Sequence, residues 1–281
     1  MCQGTIQPVS FDSELCMNAV TQTVNRSAVL QRWLPYCRLE AGKPNVRLLC
    51  FAHAGGSALS FRAWPEKFPW NIQVCAVQLP GREGRLREPC FKRVSELIDR
   101  LSEELLPAIE GPVAVLGHSL GAKIAFESAR RLRSRYGAQK IIHLFVSGCS
   151  APHLRSERDP IYTLPDGKFM ERLADFGGTP KDVLANREIM QFLTPRLRAD
   201  FELDDTYTFE PDVPLECPIT AWTGDADDLV SPESMEAWRE HTQAAFTSQV
   251  LPGGHFAFYE QESTVLAQIR RALSARPETI T

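Results

Sequence analysis

Apolar residues in this chain come in short blocks separated by stretches of helical spacing. Residues 47–52, 72–77, 113–116, 141–146 and 219–223 are compact, largely apolar runs of strand length, and 247–251 reads as a further strand. Strict alternation would mark strands with one wet face; unbroken runs mark strands covered on both faces. Between them, residues 59–68, 94–109, 232–242 and 263–273 repeat apolar positions at helical spacing. The pattern is clearest where Val94, Leu97, Ile98, Leu101, Leu105 and Ile109 share one face, with Pro107 near the end. A further helix follows residue 119, with Ile124, Ala125, Ala129 and Leu132 inward and Arg130, Arg131, Arg133 and Arg135 mostly outward. Residues 33–38 read as a first edge element. Alternation of this kind predicts an α/β fold, a mostly parallel central sheet with helices on both faces.

The alternation fails between residues 151 and 214. Two helical segments, near 167–176 and 187–207, follow one another with no strand between them. A helix-only insertion of this kind predicts a lid over the site, with Met170, Leu173, Phe176, Met190 and Phe192 as its apolar lining. It is expected to move to admit substrate. Residues 1–30 have weak periodicity and many Ser, Thr, Asn and Gln, which predicts a loosely ordered or surface-lying extension. Residues 31–281 then form a single domain.

Chemistry enters at Gly117-His118-Ser119-Leu120-Gly121, where the run 113–116 stops and a helix starts. G-x-S-x-G between a strand and a helix is a nucleophile elbow, the mark of an α/β-hydrolase fold. Its glycines leave room for a turn that holds the serine in a strained backbone conformation. A serine needs a base and the base needs an orienting acid, in the chain order Ser, Asp or Glu, His. His255, on the glycine-bearing loop 252–254 after a strand, is the candidate base. His118 reads as packing, and His143, His153 and His241 as structural or exposed. Asp225, Asp227 and Asp228 follow the strand 219–223; Asp227 is chosen as the acid, Asp225 being suited to shaping the turn. The backbone N–H groups of Leu120 and Ala54 are the candidate oxyanion donors.

Composition narrows the classes. In 281 residues, 43% are hydrophobic and 23% charged, with a formal net charge of −4. That is an ordinary globular composition without the basic footprint of a nucleic-acid binder. No apolar run reaches the length of a membrane span, and the N-terminus has no signal-peptide pattern, so a cytoplasmic protein is expected. Eight scattered cysteines without a C-x-x-C pair argue against a metal cluster or disulfide framework.

Several motifs together resemble the type II (external, editing) thioesterases of polyketide and nonribosomal peptide synthetases. They are Phe51-Ala52-His53-Ala54-Gly55-Gly56-Ser57 with Trp64, Gln78-Leu79-Pro80-Gly81-Arg82, and the elbow with Ala122. Leu197-Arg198-Ala199-Asp200 with Tyr207, Gly224 with Asp227, and Leu251-Pro252-Gly253-Gly254-His255-Phe256 complete the set. The resemblance runs from about Trp33 to the C-terminus; Ala52 stands where proline is usual, and the first thirty residues have no counterpart. It implies Ser119, Asp227 and His255 as nucleophile, acid and base. It also implies hydrolysis of acyl groups from the phosphopantetheine arms of acyl or peptidyl carrier proteins, with no cofactor or metal, by a monomer. Synthetase-fused thioesterase domains commonly carry their acid just after the strand following the elbow helix. Here that stretch is Val146-Ser147-Gly148-Cys149-Ser150, without a carboxylate, as in the stand-alone group. Arg82, Arg85, Arg87, Arg155 and Arg158 are the basic residues expected at the mouth for an acidic carrier. The competing readings are a medium-chain fatty-acyl thioesterase, a general carboxylesterase, and a catalytically silent carrier-protein interaction protein.

Overall fold

The computed structural model describes residues 26–38, 44–155 and 158–274, and among these one sheet of six parallel strands organises the chain. The strands are β1 (Val46–Phe51), β2 (Ile72–Ala76), β3 (Val113–His118), β4 (Ile141–Ser147), β5 (Ile219–Gly224) and β6 (Phe246–Leu251). They lie in the order β2-β1-β3-β4-β5-β6. Leu49 of β1 stands between Cys75 of β2 and Val115 of β3 in register. Every residue of β2, β3, β4 and β5 is buried, the physical reason for unbroken apolar runs. The edge strand β6 is exposed at Thr247, Ser248 and Val250.

Side chains alternate across the sheet into two cores. Leu49, Phe51, Val113 and Val115 face a core shared with α2 (Val94–Glu104) and α3 (Leu120–Tyr136). Leu48, Cys50, Ala114 and Leu116 face a second core with Trp64, Trp222, Phe258 and α9 (Glu262–Ser274). The chain leaves β1 for β2 on one side and returns to β3 on the other. The carboxyl ends of β1 and β3 therefore flank the point where the winding reverses, the usual crevice of an open α/β sheet.

A helical insertion separates β4 from β5: α4 (Asp166–Phe176), α5 (Lys181–Ala185) and α6 (Arg187–Asp205). It has its own small core of Ile161, Phe169, Leu173, Phe176, Met190, Leu197 and Phe201, with Ala54 of the main domain packed against it. Leu173, Phe176 and Met190, expected as lining, are inside this core, Met170 packs on its edge, and Phe192 is 60% exposed. Leu173, Phe176 and Met190 thus hold the cap together, while Phe192 faces solvent.

The chain differs from expectation in several places. Residues 26–33 form a helix, α1, and not part of an extension or an edge element. Leu30, Trp33 and Leu34 are buried at helical spacing, and Arg26 donates to the Ala108 carbonyl. Residues 1–25 lie outside the described residues. Residues 59–68 make two 3-10 turns, Ala58–Phe61 and Trp64–Glu66. The helix expected over 94–109 stops at Glu104 and continues as the 3-10 turn Leu106–Ala108, since Pro107 has no N–H to extend the ladder. Residues 232–242 divide likewise into α7 (Pro232–Glu236) and the 3-10 turn Ala237–His241. The short helices α5 and α8 (Ala257–Glu260) fall below the length that periodicity resolves.

Buried histidines give the fold an acid sensitivity. His53, His143 and His241 are each lowered from the usual 6.5 to about 4, burial being the main cause. Between these values the unfolded chain takes up protons that the folded chain refuses, so stability falls as pH drops from about 6.5 towards 4. Thermal melts at pH 7, 6 and 5 should show this fall, and His143→Leu should flatten part of it. A melting temperature independent of pH across that window would contradict the assignment.

Candidate active site

Ser119 is held where the sequence places it, at the turn between β3 and α3. Its φ of 56° and ψ of −123° lie in a region costly for a residue with a Cβ. The strain is locked in from both sides. The Ser119 N–H donates to the Ser147 carbonyl at 2.8 Å, and the Ser119 carbonyl accepts from Ala122 N–H at 2.8 Å. A Cβ on Gly117 would overlap the backbone of Gly121, and one on Gly121 would overlap the backbone of Phe51. Glycine at both positions lets the elbow close against β1.

The loops after β5 and β6 supply a carboxylate and an imidazole. His255 Nδ1 lies 2.9 Å from Asp227 Oδ2, the Asp227 side chain is 0% exposed, and its Oδ1 accepts the Leu229 N–H. Nδ1–H therefore donates to Asp227, leaving Nε2 as the acceptor. Asp225 Oδ1 accepts the Gly253 N–H at 2.9 Å and ties the acid loop to the histidine loop, while Asp228 is exposed. His255 reaches the elbow: a Cβ on Gly148 would lie 3.1 Å from its ring, one residue past the Ser147 that anchors Ser119.

Beneath it sits His118, fully buried, its ring centroid 5.1 Å from that of His255 and stacked on Phe258. Burial and the neighbouring imidazoles push its pKa well down, so it is a neutral packing group as expected. His143 bonds Thr220 inside the sheet, and His153 bonds His241 at 2.8 Å.

The loop after β1 completes the crevice. Gly55 has φ +80°, and the Gly56 N–H donates to the His53 carbonyl, closing a tight turn around Ala54. The first N–H of α3, on Leu120, belongs to a helix N-terminus with unsatisfied donors. Gly121 packs directly on the backbone of Phe51 and Ala52, so these two donor-bearing segments adjoin.

The cap lies over both halves. A Cβ on Gly178, in the α4–α5 turn, would meet the ring of Phe256 beside the base, and one on Gly55 would meet Leu197 of α6. The carboxyl half of α6 is tied down: Asp204 to Lys123 and Arg158, Asp205 to Arg158, Glu202 to Arg93, Asp200 to Arg82. α5 buries no residue. Of the three cap helices, α5 is the one with the fewest holds. Hydrogen exchange should find residues 197–205 as protected as β3, and residues 177–186 exchanging at least about tenfold faster. Uniform protection across the cap would count against a gate here.

Three of the expected mouth arginines are structural. Arg82 and Arg85 are 3% and 4% exposed. Arg82 pairs with Asp200; Arg85 pairs with Glu88 and lies 3.9 Å over the Trp33 ring. Arg158 bridges Asp204 and Asp205. Arg87 and Arg155 are exposed. Asp200, named above only as part of a motif, was given no role. Its phase on the buried face of α6, three positions from both Leu197 and Leu203, was the available signal that it must have a partner. Among the described residues no cluster of His, Cys, Asp and Glu could hold a metal ion.

The family model for the thioesterase domain matches residues 46–273. The gramicidin S biosynthesis protein GrsT of Aneurinibacillus migulanus is 43% identical over 77% of this chain and 84% of its own length. The protein called linear gramicidin dehydrogenase LgrE, from Brevibacillus parabrevis, is 42% identical over 87% of this chain and 93% of its own. The solved type II thioesterase BorB, from the borrelidin biosynthetic cluster, superposes with a TM-score of 0.76 at 33% identity, covering 86% of this chain and 97% of that one. The dehydrogenase activity in one of those names stays with that protein, for the elbow, the matched domain and the solved structure agree on hydrolysis. With its α/β-hydrolase sheet and a match across 46–273, this chain belongs to the thioesterase family.

Proposed function

We propose that the protein is a type II thioesterase that removes acyl groups from phosphopantetheine arms of acyl or peptidyl carrier proteins, with Ser119, His255 and Asp227 as its catalytic residues. The observation that carries the mechanism is the buried Asp227–His255 pair at 2.9 Å, set against the strained serine turn. His255 Nε2 takes the Ser119 proton as Oγ attacks the thioester carbonyl, and Asp227 stabilises the imidazolium. The N–H groups of Leu120 and Ala54 receive the developing oxyanion. His255 then protonates the leaving pantetheine thiol, and a water activated by the same imidazole releases the acid. Side chains and backbone supply every step, so the proposal includes no cofactor. The relatives' places in gramicidin S and borrelidin biosynthesis support carrier proteins as partners. A cytoplasmic monomer fits this role; among the described residues no helix is long and apolar enough to cross a membrane.

The test compares one acyl group on a carrier protein, on coenzyme A, on a pantetheine mimic and as an oxygen ester, with a fluorophosphonate to label Ser119. Labelling should vanish in Ser119→Ala, and thioesters should react faster than oxygen esters. The carrier substrate should have the highest kcat/KM, and its advantage should shrink with salt, because exposed charges are screened over about 10 Å at moderate ionic strength. Arg155→Glu and Arg87→Glu should weaken only the carrier reaction. Equal rates on carrier-bound and free thioesters at all salt concentrations would leave a general acyl-thioester hydrolase.

A further inference from the structure

The Asp200–Arg82 pair is the feature the mechanism above leaves unused. The Asp200 side chain is 0% exposed and that of Arg82 4%, with Oδ1 accepting from Arg82 Nη2 at 2.7 Å. Both partners also grip the turn after β1. Asp200 Oδ2 accepts the Gly55 N–H at 2.7 Å, and Arg82 Nη1 donates to the Gly56 carbonyl at 2.7 Å. Gln78 adds a third hold, its Oε1 accepting the Ala58 N–H at 3.3 Å and its Nε2 donating to the Arg82 carbonyl at 3.5 Å.

A buried ion pair is a weak way to stabilise a fold, since apolar residues of similar volume do as well or better. What this pair supplies is direction. The Gly56 N–H is bonded to the His53 carbonyl, and in a trans peptide the C=O and the following N–H point opposite ways. The Ala54 N–H therefore points out of the turn. The turn keeps that aim only while Gly55 and Gly56 stay where Asp200 and Arg82 hold them. Leu197, one helical turn before Asp200, presses on Gly55 from the same side.

We infer that Asp200 and Arg82 are positioning residues for the oxyanion donor on Ala54, through which the cap helix α6 sets the geometry of the main-domain site. The inference rests on the serine mechanism proposed above and adds a residue pair that touches no substrate. Removing one oxyanion donor outright costs about 10²–10³ in turnover, so misaiming one should cost roughly 10–100-fold.

The experiment uses Asp200→Asn and Arg82→Lys in the full chain, with active sites counted by fluorophosphonate. Two inhibitors are compared: a trifluoromethyl ketone pantetheine, whose adduct with Ser119 carries an oxyanion, and the matching thioether, which carries none. In Asp200→Asn, kcat should fall roughly 10–100-fold with KM within about threefold, and the ketone should weaken in proportion while the thioether binds as before. Arg82→Lys, which retains the charge but not the fork, should fall between Asp200→Asn and the unaltered protein. Equal weakening of both inhibitors, no weakening of the ketone, or failure of both variants to fold would make the pair merely structural and overturn the inference. An unaltered protein indifferent to the ketone would instead defeat the serine mechanism itself.

Discussion

Asp227→Asn should lower kcat by about three to four orders of magnitude with little change in folding, through the tautomer of the base. Asp227 accepts the hydrogen bond from His255 Nδ1–H at 2.9 Å and is itself held by the Leu229 N–H. An asparagine that keeps its Oδ1 on Leu229 presents an amide N–H to Nδ1. The imidazole answers by moving its proton to Nε2, where it faces Ser119 as a donor and cannot act as a base. Asp225→Asn retains an oxygen for the Gly253 N–H and should cost a few-fold at most; Asp228 is exposed and should cost less. Turnover of the three variants, normalised to labelled serine, checks the ranking. If Asp225→Asn is the crippling change, the acid has been placed wrongly within its loop.

A large loss of stability should follow Gly121→Ala. The added methyl would sit 2.7 Å from the Ala52 carbonyl oxygen and collide with the backbone of Phe51. Neither neighbour is a side chain that can swing away, and β1 is paired on both sides through Leu49 and Cys50. Relief therefore requires lifting the start of α3 off the sheet. Overpacking relieved by side-chain motion costs about 1–3 kcal/mol, and this case should reach or exceed the upper figure. For a protein of this size that is a loss of roughly 6–12 °C in Tm. Gly167→Ala is the control: its Cβ would meet nothing within 4 Å, and its place in α4 should make alanine neutral or slightly stabilising. Equal melting of both variants would show that the elbow does not need its close approach.

Local chemistry carried much of this protein in one dimension. Apolar runs announced strands covered on both faces, and β2 to β5 lie where those runs fall and are buried throughout, while the more polar segment 247–251 became the half-exposed edge strand β6. The elbow was equally readable, since its strand, glycines, serine and helix are contiguous. His255 and Asp227 could be ranked by order along the chain, because a doubly wound sheet brings successive strand ends to one edge.

Other features depended on partners far away in sequence. Whether an arginine faces water or a buried carboxylate is decided by what packs on it: Arg82 meets Asp200 across 118 residues, while Arg155 meets solvent. Short segments such as 26–38 and 59–68 took their form from Trp33 and Trp64, each buried by strands and helices elsewhere. Helical periodicity alone showed the cap as an insertion, but not that α6 is anchored to the main domain by three acidic side chains, Asp200, Glu202 and Asp204, while α5 buries no residue. Sequence patterns report the environment of a residue averaged over its near neighbours. The direction of the Ala54 N–H depends on Gly55, Arg82 and Asp200 meeting at single points, and only the folded chain brings those points together.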